Sequence, residues 1–207
     1  MEGLIPYITE PREDTGLTNG KIAIWLFLAS EIMLFGAFFA TYIVMRLGAV
    51  TWPRGWEAQN VPLGTLNTGV LITSSVTMVM AWASLERSDL KKFQMFAGVT
   101  VGLGFAFLCI KYVEYTSHFH EEMFPWTSTY LAVYFTMTGL HALHVISGMA
   151  VNGFFWLAGR SYWDAGERQL LINRVENAGL FWHFVDIVWI FLFPLLYLID
   201  RHGPVVH

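Results

Sequence analysis

Charge is what this sequence has least of. Lys, Arg, Asp and Glu make up 14% of its 207 residues, where a soluble domain carries about a quarter. No basic tract of the kind that grips nucleic acid is present, so no nucleic-acid partner is expected. Cysteine is nearly absent. Cys109 stands alone in an apolar run, which excludes a disulfide framework and a thiolate metal site. The first twenty residues, MEGLIPYITEPREDTGLTNG, lack a basic stretch followed by an apolar one. No cleavable signal peptide is therefore expected, and the first apolar span serves as its own insertion signal. Internal repeats and low-complexity segments are missing too. What abounds is apolar surface: 55% of the chain is apolar and 16% aromatic, with 17 Phe and 9 Trp. A soluble core of this size cannot hide that much, so the chain reads as a polytopic membrane protein.

Apolar stretches of about 20 residues mark membrane-spanning helices. Five are found, at about 22–45, 63–85, 95–113, 130–158 and 178–199. The runs are continuous and do not alternate, which favours helices over a barrel. The expected fold is all-α: residues 1–207 form a single domain of five transmembrane helices, with 1–20 as a polar tail. Lys and Arg set the orientation. Arg12, Lys21, Arg87, Lys91, Lys92, Arg160, Arg168 and Arg174 share one side, against Arg46, Arg54, Lys111 and Arg201 on the other. The N-terminus is therefore expected in the cytoplasm and the C-terminus in the periplasm. The loops are too short to carry a soluble catalytic domain.

Ionisable groups inside such spans are costly and are read as functional by default. Glu31 lies roughly 13 Å from the cytoplasmic end of the first span, and His183 and Asp186 roughly 7–12 Å into the fifth. His144 falls near the same level of the fourth. These residues are expected to form one polar layer from three helices. His141 and His144 share a helix face, and with His183 they raise the question of a metal. A haem between helices needs histidines facing across it, and stacked haems need two such pairs; three histidines, two of them one turn apart, do not supply that. A facial triad of histidines and a carboxylate stays open. The favoured alternative is a set of polar ties, with His183 donating to Asp186 or a carbonyl and His141 or His144 bonding across helices. A small transporter or proton channel would show broken helices or inverted repeats, and neither is seen.

Small residues at Gly98, Gly102 and Gly104, and at Gly36 and Ala40, have the spacing of tight helix packing. The hydroxyls of LNTGVLITSSVT (66–77) are expected to bond their own helix or a neighbour. Lys111 and Glu114, three apart near the outer end of the third span, should pair or snorkel. Trp52, Trp56 and Trp126 fall where an outer aromatic belt belongs.

WLFLASEIMLFGAFFATY (25–42), LNTGVLITSSVT (66–77), KYVEY (111–115), YFTMTGLHALHVISG (134–148) and ENAGLFWHFVDIVWIFLFPLLYL (176–198) occur in an order that resembles subunit III of haem-copper terminal oxidases. The resemblance covers about residues 20 to 200. It implies a five-span bacterial form in the inner membrane, lacking the first two helices of larger relatives. It implies that this chain holds no haem or copper, which reside in partner subunits, and that it packs on subunit I, with subunit II and small subunits nearby. A place in a respiratory supercomplex is compatible with it. The complex would reduce dioxygen to water and pump protons, with cytochrome c as donor or, alternatively, quinol; a homologue accompanying nitric oxide reductase is a further alternative. The resemblance also implies bound phospholipid, with Glu31 as the family's buried glutamate and Arg160 as the arginine near a lipid phosphate. His141, His144, His183 and Asp186 match signature polar positions with no catalytic role attached. Lys111 stands where mitochondrial relatives carry Gln.

Overall fold

A computed structural model describes residues 7–50, 52–53 and 59–199. Five helices follow one another: α1 (Asn19–Gly48), α2 (Val61–Glu86), α3 (Leu90–His120), α4 (Thr129–Asp164) and α5 (Arg168–Phe193), the last continued by a π-turn over Pro194–Leu198. All five are long and apolar enough to cross a membrane. Among the described residues there is no strand. Arg54, Trp56 and Arg201, used above for charge and belt, lie outside the described residues.

The helices outrun the apolar stretches because their ends are closed by polar caps. Thr18, Asn60, Asp89 and Ser128 each accept a hydrogen bond from the backbone N–H three residues on, satisfying a donor that the helix itself leaves free. At Asp89 that bond from Lys92 N–H, with the ion pair to the Lys92 side chain, holds the carboxylate below its ordinary pKa. The third span is the main correction. Expected over 95–113, it runs to His120, because KYVEYTSHFH stays helical well past the apolar stretch.

α2 and α3 form the tightest pair, and α5 is the axle on which α2, α4 and α1 lean. Its side chains Trp182, Val185, Trp189 and Leu192 are fully buried. α1 is the outlier, packed mainly along α5, with most of its surface open. The spacing of small residues is half upheld. A Cβ on Gly98 would sit 3.2 Å from Trp156, and one on Gly104 would strike Met149 and Trp182, whereas Gly36 and Gly102 have nothing near them. Gly36 and Ala40 face outward from α1. Trp126 is exposed, as a belt residue should be, but Trp52 turns inward between the ring edges of Tyr42 and Tyr130.

Proline at 194 has no N–H to give, and α5 changes there into the π-turn. Three carbonyls at its end are taken by side chains from other helices: Tyr42 Oη donates to Leu195 O at 2.9 Å, Tyr130 Oη to Leu196 O at 2.9 Å and Arg46 to Ile199 O at 3.3 Å. The end of the bundle at the C-terminus of α5 is stitched at this turn.

Candidate functional site

The expected polar layer resolves into two separate contacts. In the first, Glu31 Oε2 of α1 meets His144 Nε2 of α4 at 3.1 Å. His144 Nδ1 faces the Leu140 carbonyl at 2.9 Å, and a carbonyl only accepts, so Nδ1 carries a hydrogen. A second proton must then lie between Nε2 and the carboxyl oxygen. Each side chain of the pair is only 14% exposed. Phe35 and Phe181 wall it with ring contacts at 5.1 and 6.2 Å.

In the second contact, His183 Nδ1 of α5 is 2.5 Å from Ser75 Oγ of α2. The expected bond between His183 and Asp186 is not made. Asp186 is buried, with both carboxyl oxygens unpartnered among the described residues; it faces Ser75, but no hydrogen bond closes. The reason is helical geometry. Residues three apart are neighbours on a face, yet both side chains here turn toward α2, and Ser75 reaches the imidazole first. An unpaired buried carboxyl contributes nothing to cohesion. Asp186→Asn should therefore leave the yield of assembled complex unchanged or slightly raised, while Ser75→Ala lowers it by about 1 kcal/mol of helix docking. Subunit stoichiometry after purification checks both.

His141 sits apart from either contact. It is 1% exposed, stacked 5.2 Å from Trp189 and edge-on to Phe107, with both ring nitrogens buried and, among the described residues, unpartnered. Of LNTGVLITSSVT, Thr68 and Thr73 bond carbonyls of their own helix, as expected. Ser74 and Thr77 also reach neighbours, accepting from Trp182 Nε1 and meeting Thr100 Oγ1 respectively.

The largest polar assembly lies elsewhere, toward the C-terminal end of α3, and spacing gave only its two charges. Lys111 Nζ is 3.0 Å from Glu114 Oε2, 3.2 Å from Tyr134 Oη and 2.8 Å from Tyr197 Oη. Both phenols donate in turn to Glu114 Oε1. The rings of Tyr115, Tyr134, Trp189 and Tyr197 surround the ammonium at 5.2–5.5 Å. Lys111 does not snorkel; it is 4% exposed and Glu114 1%. All three ammonium donors and both carboxylate oxygens are used.

Arg160, expected near a lipid phosphate, is exposed and faces Asp164 at 3.6 Å. Another cation has the better position. Arg174, Asn177 and Ser147 sit in the wall of a groove of about 510 Å³ between α1, α4 and α5, whose other lining residues, Phe27, Phe155 and Phe181 among them, are apolar. Arg174 donates to Tyr162 Oη at 2.6 Å, and among the described residues no carboxylate pairs with it. A guanidinium above an apolar groove is suited to phosphate over acyl chains. Among the described residues, no group of three or more His, Cys, Asp or Glu could hold a metal ion.

A family model for cytochrome c oxidase subunit III matches residues 12–200. The chain is 33% identical over 187 residues to cytochrome c oxidase subunit 3 of Bacillus sp. (strain PS3), covering 89% of this chain and 88% of that one. It is 32% identical over 180 residues to cytochrome bo(3) ubiquinol oxidase subunit 3 of Pseudomonas aeruginosa, covering 87% and 85%. A heme-copper oxidase subunit I+III of Aeropyrum pernix matches at 32% over 186 residues, 86% of this chain and 22% of that longer one.

Proposed function

Since this chain belongs to the cytochrome c oxidase subunit III family, we propose that it is the non-catalytic scaffold of a bacterial terminal oxidase, holding phospholipid and supporting proton uptake. As a subunit III it is a multi-pass protein of the plasma membrane and works with oxidase subunits I and II. Contact with subunit I is favoured by the Aeropyrum relative, whose printed name joins I and III in one chain. Haem and copper then belong to the neighbours.

The observation that carries this reading is how α1 is held. Beside ring contacts with α5, its polar ties to the bundle are single contacts at successive levels: Lys21 to Glu176 at 2.6 Å, Glu31 to His144 at 3.1 Å, Tyr42 to Leu195 O at 2.9 Å and Arg46 to Ile199 O at 3.3 Å. Grooves flank the helix between them. A helix so held has room for lipid at its sides, with the phosphate on Arg174 in place of Arg160. Glu31 and His144 keep it docked. The remaining polar residues, His141, His183 and Asp186, serve packing and helix contact in this reading. The N-terminus lies in the cytoplasm. Burial of Lys111 supports this, because a residue paired inside the bundle does not count among loop charges, and the outer side then retains only Arg46, Arg54 and Arg201.

Glu31→Gln tests it. The variant takes the carboxyl from the pair with His144 and weakens α1 docking by about 1.5–3 kcal/mol. Oxygen reduction should start near the normal rate and fade within fewer turnovers, with lipid lost from the purified complex. Immediate total loss would mean that Glu31 takes part in chemistry. Cytochrome c is the favoured donor, and quinol the second reading, supported by the ubiquinol oxidase relative. A paired-copper Cys/His motif in the copurifying subunit II decides between them.

A further inference from the structure

One level of the bundle is built from short side chains and holds a buried amide with nothing to bond. Contacts between the helices set that level. Thr77 of α2 meets Thr100 of α3 at 2.7 Å. Gly98 and Gly104 of α3 stand beside Trp156 and Met149 of α4, which brings Asn152 of α4 opposite Thr100. Gly148 of α4 and Ser74 of α2 meet Trp182 of α5, and Met78 of α2 lies on Gly179 of α5, so Ala178 stands at the same height. One turn further along α2, α3 and α5 come Ala81, Ala97 and Val175, all buried. Large rings close this layer of short side chains on both sides. Trp182 lies against Gly104 and Gly148 toward one end of the bundle, and Phe93 lies against Gly159 toward the other.

Asn152 is 4% exposed, and neither its Nδ2 nor its Oδ1 has a hydrogen-bond partner among the described residues. It shares a face of α4 with Gly148 and Gly159, both of which meet rings of other helices, so the amide points into the bundle. Turning outward would carry it into hydrocarbon, where it would find nothing to bond. An amide left unpaired in the interior loses its hydration without return. Buried polar groups are accordingly satisfied by protein or by ordered water.

We propose that this layer binds an internal water, held between the Asn152 amide and the hydroxyls of Thr77 and Thr100. The hydrogens balance. Thr77 Oγ1 stands 2.9 Å from Ser74 O, and Thr100 Oγ1 stands 3.0 Å from Phe96 O. Each hydroxyl has one hydrogen, so one of the two donates to the other, which donates to its own carbonyl. The hydroxyl that donates across the pair keeps both lone pairs free, and one of them accepts from the water. The water oxygen accepts in turn from Asn152 Nδ2, and the second water hydrogen goes to Asn152 Oδ1. Its bonds then number about three, as is usual for a buried water. The water ties α4 to the α2–α3 pair at this level. An apolar cavity would stay dry; the amide and the two hydroxyls are what make this layer a water site.

The test is radiolytic hydroxyl-radical footprinting of the purified oxidase complex containing this chain. Radicals formed from a bound water oxidise the side chains beside it, and buried side chains with no water near them are spared. Phe93 and Trp182 are 1% and 0% exposed and close the layer on its two sides, so they are the reporters, read from the masses of their peptides. Both are expected to gain oxygen in the native complex. Asn152→Leu keeps the size of the side chain without its bonds. Thr77→Val with Thr100→Val removes both hydroxyls and keeps the shape of the layer. Each should abolish the oxidation of both rings with subunit stoichiometry unchanged, and Thr77→Ser with Thr100→Ser, which keeps the hydroxyls, should retain it. Should Asn152→Leu fail to assemble, the valine pair decides alone. Unoxidised rings in the native complex overturn the proposal, as do rings oxidised equally in the variants.

Discussion

Lys111→Met is expected to destabilise the subunit by about 3–5 kcal/mol, because it leaves the Glu114 carboxylate buried without its counter-charge. The magnitude follows from the closure of the network. The ammonium spends its three hydrogens on Glu114, Tyr134 and Tyr197, and the two phenols pass theirs to the second carboxylate oxygen. Without the ammonium the phenols still donate to Glu114, but each loses its own donor and the negative charge stays. Methionine matches the stem in length, so little of the loss comes from an empty volume. The damage should appear as loss of subunit III from the purified complex and a lower temperature of thermal inactivation. Lys111→Met combined with Glu114→Gln removes both charges together. It should recover most of the loss, since replacing a buried pair is far less harmful than breaking it. A double variant as unstable as the single one would mean that the corner is held by its rings, with the ion pair incidental.

That corner also shows where reading the sequence stops. Five apolar runs in a chain so poor in charge leave little choice but a helical bundle, and the runs were placed correctly. The helix ends were not, since α3 carries seven polar-rich residues beyond the end of its apolar stretch, which hydrophobicity does not register as helix. The charged pair in KYVEY was visible as a pair. Its burial was not, because the enclosing phenols come from positions 20 and 83 residues away from Glu114. One of them, Tyr197, arrives only through the π-turn that Pro194 starts. Glu31 and His144 were placed at one depth by counting residues, and they do meet. Depth alone was insufficient for His183 and Asp186, where the rotation of α5 against α2 decides the partner. Ser75 belongs to a stretch of hydroxyls, most of which bond their own backbone, and no spacing singles it out. Arg174 was counted for topology, and only the meeting of α1, α4 and α5 sets it beside a groove.

Gly148→Val should be about as damaging, through shape alone. A Cβ at this position would stand 2.7 Å from Cε3 and 3.0 Å from Cζ3 of Trp182, closer than side chains approach. The indole has no room to retreat. Its far edge is met by Gly104 of α3, where an added Cβ would stand 2.9 Å from Cη2, and its Nε1 donates to Ser74 of α2 at 3.1 Å. One side chain of α5 thus fixes the separation of three other helices, and two glycines let it enter. Overpacking at such a point costs about 1–3 kcal/mol for a single added methyl, and the two further methyls of valine add to that. Removing the knob is also harmful: Trp182→Ala should cost about 3–5 kcal/mol through the cavity it leaves. The two faults are coupled. Gly148→Ala with Trp182→Phe gives the methyl the space that the smaller ring vacates, so the double variant should lose less than the two singles added together. Thermal inactivation of all three complexes measures the coupling. Simple additivity would mean that α4 shifts away from α5 when crowded, and that the indole does not set the helix spacing.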